Sequence, residues 1–181
     1  MQQEGRDLYE LGRFDEAILP YQRARRLWQA VGSPEQVAQV MHELGIVYYG
    51  AERYADALRA YGETFKLYRR LGNREYEARV LYHMGMAYEA LRNYVTAAGR
   101  YQASIKIWED LYEAEEVAAV LERLGAVQAA VGGYADALTS YRRSLAIFGE
   151  IGSYEKVEDL QQLIAQVENV ARWPGPAPGA K

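Results

Sequence analysis

Apolar residues recur every three or four positions through most of the chain, which is the spacing of one face of an α-helix. Between positions 34 and 51 they are Val37, Val40, Met41, Leu44, Val47, Tyr48 and Ala51. The same spacing returns from Tyr54 to Leu71, and only Glu52 and Arg53 separate the two segments. So short a connection permits only an antiparallel helical hairpin. Because no segment alternates with the period of a strand, the pattern predicts an all-α fold.

This hairpin is repeated at a period of forty residues. Gly45, Ala57 and Tyr61 return as Gly85, Ala97 and Tyr101, and again as Gly125, Ala137 and Tyr141. Self-similarity at a constant period predicts a solenoid of stacked helix pairs. We expect one domain over residues 1–172, comprising an incomplete unit at 1–31, repeats at 34–71, 74–111 and 114–151, and a capping helix at 154–172. The Pro- and Gly-rich residues 173–181 are expected to form a flexible tail.

The glycines at 45, 85 and 125 fall in the middle of predicted helices. Glycine there costs about 0.5–1 kcal/mol relative to alanine, so a repeated glycine suggests a packing requirement. We expect the tyrosine of the following helix, such as Tyr61, to lie against the backbone at the glycine.

Across residues 4–151, Leu44-Gly45-x-x-Tyr48 followed by Ala57 and Tyr61 resembles the tetratricopeptide repeat, in a variant with a period of 40 rather than 34. The resemblance implies a right-handed superhelix in which the first helix of each pair lines a concave groove that binds protein or peptide segments. In some forty-residue relatives asparagines hold the peptide. Those registers here carry Glu43, Ile46, His83, Met86, Arg123 and Ala126.

Residues on the predicted groove side of the first helices are the candidate binding residues. They are Gln39, His42, Glu43, Ile46, Tyr49, Arg79, Tyr82, His83, Met86, Glu89, Glu122 and Arg123. This mixture of polar, aromatic and aliphatic side chains suits an extended or helical peptide. The alternative is an ordinary solvated helix face.

The composition narrows the choice of partners. The net charge of −4 argues against a nucleic-acid ligand, which usually requires a basic face. No apolar run approaches the roughly 20 residues that span a membrane. The polar start Met1-Gln2-Gln3-Glu4 does not resemble a signal peptide, and we expect a cytoplasmic protein. The absence of cysteine excludes disulfides and zinc–thiolate sites.

No enzymatic motif is present, and we expect neither a cofactor nor catalysis. The sequence contains no phosphate-binding glycine loop and no nucleophile triad signature. His42 and His83 occupy neighbouring registers and could approach each other beside Glu43, but a metal site needs at least three convergent ligands. Surface or hydrogen-bonded histidines are therefore expected, without a metal.

The first functional hypothesis is a non-enzymatic protein–protein interaction scaffold that binds a peptide or protein segment in its groove. One alternative is a sensory or regulatory segment of a signalling or transcription-control system. Another is a self-assembling structural scaffold. Leu8, Leu11 and Ile18 in the incomplete first unit are expected to lack cover, which predicts pairing with a second copy or another chain.

Overall fold

The computed structural model describes residues 1–172, which form nine α-helices and no strands. The helices are α1 (Gln2–Glu10), α2 (Phe14–Val31), α3 (Pro34–Gly50), α4 (Tyr54–Leu71), α5 (Arg74–Ala90), α6 (Tyr94–Asp110), α7 (Ala114–Ala130), α8 (Tyr134–Glu150) and α9 (Tyr154–Arg172). The prediction of an all-α helical repeat fold is confirmed. The tail predicted at 173–181 lies outside the described residues.

Left-handed turn residues end several of the helices. Gly32 and Gly72 follow α2 and α4 with φ of 77° and 69°, a conformation that glycine adopts without a steric cost. Tyr112 stands at the same point after α6 and adopts φ of 61°. The turn keeps its hydrogen bond there, from the backbone N–H of Glu113 to the carbonyl oxygen of Trp108 at 3.0 Å. The repeat therefore preserves this turn even where glycine is missing.

The chain divides into two compact units, Met1–Ile107 and the residues from Trp108 onward. In the first unit, one hydrophobic cluster joins α1, α2 and α3, and a second joins α3, α4 and α5. In the second unit, a cluster centred on Tyr141, Phe148 and Leu160 joins α7, α8 and α9. On α3 the predicted apolar stripe of Val37, Val40, Met41, Leu44 and Val47 is buried, whereas on α9 Val170 stays exposed.

The glycines that recur at the repeat period each receive a tyrosine ring, as predicted for positions 45, 85 and 125. A Cβ atom added at Gly45 would lie 2.6 Å from Cδ1 of Tyr61. The corresponding distances are 2.6 Å from Gly85 to Cδ1 of Tyr101, 2.7 Å from Gly125 to Cε1 of Tyr141, and 2.7 Å from Gly5 to Cδ2 of Tyr21. Real Cβ atoms do not approach carbon so closely, so the tyrosine column requires glycine opposite it.

The prediction that apolar side chains of the incomplete repeat at residues 1–31 lack cover is only partly right. Ile18 is buried, and Leu8 packs against the core formed by α1, α2 and α3, because α1 reaches far enough to cover both. Leu11, in contrast, is 70% exposed at the end of α1. Further exposed apolar side chains on α2 are Leu19, Leu27 and Val31.

Within residues 1–172, no helix is both long enough and apolar enough to cross a membrane.

Candidate binding surface

Most of the candidate residues lie on α3 and α5 of the first unit, and these two helices contact each other. The spacing of three and four residues places them on one face of each helix. On α3, Gln39, Ile46 and Tyr49 are half-buried. On α5, Arg79 is exposed, whereas Tyr82, Met86 and Glu89 are half-buried. We call this face of the two helices, together with the adjoining face of α1, the α1–α3–α5 surface.

His42 and His83 approach each other between α3 and α5, as their registers suggested. Nε2 of His42 lies 2.9 Å from Nδ1 of His83, within hydrogen-bond distance. The ring of Tyr61 stacks on His83 with a centroid distance of 5.7 Å, and Tyr76 meets His42 edge-on at 6.2 Å. Only 8% of His42 is exposed, so it lies beneath the surface and offers little area to a ligand. The aromatic neighbours close over its ring and cover it.

The environment keeps both imidazoles neutral. Burial lowers the pKa of His42 to about 3, and the charge that His83 would carry lowers it further. Burial also lowers the pKa of His83 to about 4, with a smaller contribution from the Arg79 guanidinium. A neutral ring has one donor and one acceptor nitrogen, so one imidazole donates to the other. The pair therefore joins α3 to α5 as a structural hydrogen bond.

In the part of the chain that the structure describes, nothing near this pair completes a metal site. Among residues 1–172, no group of three His, Cys, Asp or Glu side chains could hold a metal ion. Glu43, which was predicted to lie beside the histidines, pairs instead with Gln2, Gln39 and Arg6.

Glu43 ties α1 to α3. Its carboxylate accepts hydrogen bonds from the side-chain amides of Gln2 and Gln39, both at 3.2 Å, and forms an ion pair with Arg6 at 3.4 Å. Its charge also helps burial to raise the pKa of Tyr21 to about 12. Since the carboxylate already has these partners, Glu43 holds the surface together and is poorly placed to contact a peptide.

A pocket of about 250 Å³ opens between α1 and α3. Arg6 and Tyr9 of α1 form one side, and Ile46 and Val47 of α3 form the other. Arg6 and Tyr9 are not among the residues predicted from the sequence, although the forty-residue repeat identifies them. Shifting Ile46 and Tyr49 back by forty positions gives Arg6 and Tyr9.

Two candidates on α5 are held by neighbouring side chains. Arg79 forms an ion pair with Glu75 at 3.1 Å, on the same helix. Glu89 accepts a hydrogen bond from the hydroxyl of Tyr101 at 2.6 Å, and Tyr82 packs against the Tyr101 ring at 5.8 Å. These contacts orient the polar rim of the surface.

Glu122 and Arg123 lie on α7 in the second unit. Glu122 pairs with Lys156 of α9 at 3.2 Å, and Arg123 lies on the exposed side of α7. The remaining positions of this face are the alanines Ala119, Ala126 and Ala129. The face of α7 thus lacks the aromatic side chains that α3 and α5 carry.

Comparison with known proteins supports the repeat architecture. The sequence model of the family described as Tetratricopeptide repeat matches residues 2–70 and 76–150. No curated protein matches the chain significantly.

Solved structures share this fold at low sequence identity. Aspartyl phosphate phosphatase F from Bacillus subtilis superimposes with a TM-score of 0.83 at 16% identity, covering 92% of this chain and 44% of that one. A signal transduction ATPase with a tetratricopeptide repeat sensor from Pyrococcus horikoshii gives 0.80 at 18%, covering 88% and 25%. A putative kinesin light chain from Podosopora anserina gives 0.74 at 15%, covering 93% and 92%. The chain thus spans less than half of the phosphatase and a quarter of the ATPase.

Proposed function

Because the chain belongs to the tetratricopeptide repeat family, we propose that it is a protein-interaction module whose first unit binds an extended peptide on the α1–α3–α5 surface. The observation that carries this proposal is a row of half-buried apolar and aromatic side chains beside a pocket. Ile46, Tyr49, Tyr82 and Met86 form the row, and the 250 Å³ pocket adjoins Ile46. Aromatic side chains next to a concave site are typical of peptide recognition.

The chemistry of the surface suggests how the peptide is held. An apolar side chain of the peptide enters the pocket between Tyr9 and Ile46, and neighbouring residues lie across Tyr49 and Met86. At the rim, Gln39 offers its side-chain carbonyl oxygen to a backbone N–H of the peptide, and the exposed guanidinium of Arg79 attracts acidic groups of the peptide.

Contacts that join the three helices also favour binding. The His42–His83 hydrogen bond and the contacts of Glu43 join α1, α3 and α5 before any ligand arrives. A surface that is already ordered loses less conformational entropy on binding, which raises affinity.

The test is selection of peptides from a random displayed library on the purified chain, followed by fluorescence anisotropy with the selected peptide. The variant Tyr49→Ala/Arg79→Ala/Met86→Ala should weaken binding at least tenfold, corresponding to about 1.4 kcal/mol. The matched control, Lys66→Ala/Arg69→Ala/Arg70→Ala, changes three exposed residues of α4 and should bind normally. Equal affinity of both variants for the peptide would reject this surface as the site.

A sensory or regulatory role is the second candidate. The phosphatase and the ATPase with a repeat sensor supply the supporting comparison, since the chain spans only part of each. In this role, peptide binding would control an effector domain. A neighbouring effector gene, or an effector fused to the parent gene, is the observation that separates it from a free-standing scaffold.

Two further parts of the proposal concern chemistry and assembly. We propose a non-enzymatic, cytoplasmic protein, and turnover of any substrate by the purified chain would contradict the first of these. The exposed Leu11, Leu19, Leu27 and Val31 favour a homodimer through the incomplete N-terminal repeat at residues 1–31. Sedimentation equilibrium should show a dimer that Leu19→Lys/Leu27→Lys converts to a monomer. A strict monomer at high concentration would exclude the dimer.

A further inference from the structure

A second cavity, of about 400 Å³, lies between α2 and α4. Its floor is formed by Met41, Leu44 and Tyr48 of α3. Helical spacing places these three residues on the face of α3 opposite Gln39 and Ile46, so the cavity is separate from the α1–α3–α5 surface. We call it the α2–α4 cleft.

Comparison of equivalent registers explains why the cleft is open. Arg25, which lines it, corresponds to Phe65 forty positions later, and Phe65 packs against the core of α3, α4 and α5. Ala60, on the opposite wall, corresponds to Arg100. A core-packing aromatic is thus replaced by a half-buried cation, and a long side chain by a methyl group. Arg25 brings its charged end to the cleft instead of packing as an aromatic ring does, and the methyl group of Ala60 is too short to fill the space between α2 and α4.

Some polar groups of the cleft already have partners. The carboxylate of Asp56 pairs with Arg53 at 2.7 Å and also with Arg59. The side-chain amide of Gln22 donates to the hydroxyl of Tyr48 at 3.2 Å. These contacts leave little capacity at this end of the cleft for a charged ligand.

Three charged groups of the cleft remain available. Arg25 and Arg26 line it from α2, and Glu63 lines it from α4. Within residues 1–172, no hydrogen bond or ion pair engages any of these three side chains. Two arginines and one glutamate give this end of the cleft a net charge of about +1. It suits a ligand that offers a carboxylate to the arginines and a cationic group to the glutamate.

We propose that the α2–α4 cleft binds a free α-amino acid with an apolar side chain. Arg25 and Arg26 bind the α-carboxylate, since guanidinium groups match carboxylates in geometry and charge. Glu63 accepts hydrogen bonds from the α-ammonium group. The apolar side chain lies over Met41, Leu44 and the Tyr48 ring. The volume falls within the roughly 300–1,000 Å³ of small-molecule pockets.

The lining carboxylates make a simple phosphate site a poorer match. Glu63 and Asp56 would repel a doubly charged anion, and the cleft offers no second cationic excess to compensate. An amino acid, by contrast, leaves none of the three charged groups unpaired.

The experiment is a titration of the isotopically labelled full chain, followed by two-dimensional amide NMR spectra. L-Leucine should produce saturable shifts in α2 and α4. L-Leucinamide, which lacks the carboxylate, and N-acetyl-L-leucine, which lacks the ammonium group, should each bind at least tenfold more weakly. Absence of saturable shifts with leucine up to about 10 mM, or binding of inorganic phosphate as tight as that of leucine, would overturn the proposal.

Variants localise the site. Arg25→Phe restores the residue of the next repeat and should abolish the leucine shifts, while the matched control Arg23→Gln, exposed on α2 outside the cleft, should retain them. Arg26→Gln changes an exposed side chain without touching the core, so it tests the same contact if Arg25→Phe does not fold. Leucine binding that persists in these cleft variants would overturn the proposal. Peptide binding to the α1–α3–α5 surface is independent of these changes, so the two proposals fail separately.

Discussion

The hairpins α3–α4 and α7–α8 have the same internal packing but present different faces. In both, a glycine of the first helix receives a tyrosine of the second, Gly45 with Tyr61 and Gly125 with Tyr141. On the outer face, however, Ile46 and Tyr49 of α3 are replaced at equivalent positions of α7 by Ala126 and Ala129.

The comparison shows that packing and surface function place different demands on the sequence. The repeated residues are those that the helix pair needs in order to pack, and they recur because every pair faces the same geometric problem. Residues outside the packing register are free to differ, and there the two units diverge. Function therefore has to be sought in positions where the repeat breaks, and the α2–α4 cleft is one of them.

The largest expected effect is a loss of stability in acid that the two histidines cause. The chain has only these two, and both lie in the first compact unit. Their native pKa values, about 3 and about 4, lie below the ordinary value of 6.5. As the pH falls below 6.5, the unfolded chain therefore binds protons that the native protein does not. The free energy of unfolding should drop by about 1.4 kcal/mol per pH unit for each imidazole. The loss should level off near pH 4 to 3, where the native rings become protonated too.

Urea unfolding between pH 7 and pH 5 measures this loss. The control variant His42→Leu/His83→Leu should lose the part of the slope that the histidines cause, while carboxylates elsewhere remain as they are. An unchanged slope in that variant would contradict the assignment of the acid sensitivity to the first unit.

The second prediction tests the packing that the two hairpins share. Gly45→Ala places a methyl group against the Tyr61 ring and should lower the free energy of unfolding by about 2 kcal/mol, because overpacking outweighs the gain in helix propensity. The control Gly62→Ala is also in mid-helix, but its Cβ would meet no atom within 4 Å. That change should stabilise the protein by about 0.5–1 kcal/mol. Chemical denaturation that gives both variants the same sign would refute the glycine–tyrosine requirement.

The smallest expected effect is the loss of stability when a buried hydroxyl group is removed from the second helix of each hairpin. Ser144 of α8 donates its hydroxyl hydrogen bond to the carbonyl of Ala118 on α7 at 2.8 Å. Thr64, at the same register of α4, donates instead to Ala60 of its own helix at 2.8 Å. Ser144→Ala should therefore cost about 1 kcal/mol, and Thr64→Val less than about 0.5 kcal/mol. The two variants are compared by thermal unfolding, and a larger loss for Thr64→Val would reverse the interpretation.

The fold could be predicted almost entirely from the sequence. The spacing of Val40, Leu44 and Val47 defines a helical stripe, and the recurrence of Gly45 and Tyr61 at forty-residue steps defines the repeating pair. These features are local or periodic, so a linear pattern expresses them. The same period also marks Arg6 and Tyr9 of α1, which stand forty positions before Ile46 and Tyr49.

The candidate site could be predicted only in outline. The register indicated which face of α3 and α5 would carry binding residues, but it did not indicate that Glu43 is held by Gln2 and Arg6, or that the Tyr76 ring covers His42. Both depend on side chains distant in the sequence, whose rotamers are chosen by packing rather than by local preference.

The sequence by itself determined the helix pairs, their forty-residue period and the glycine–tyrosine contacts, because short-range periodicity and a repeated packing problem leave a direct trace in the order of residues. Only the tertiary structure decided which polar side chains are occupied and which are available. It neutralised the two histidines by burying them together, and it left a cleft where Arg25 replaces a packing aromatic. The physical reason is that burial and pairing depend on neighbours brought together from separate helices, which no single stretch of the chain specifies.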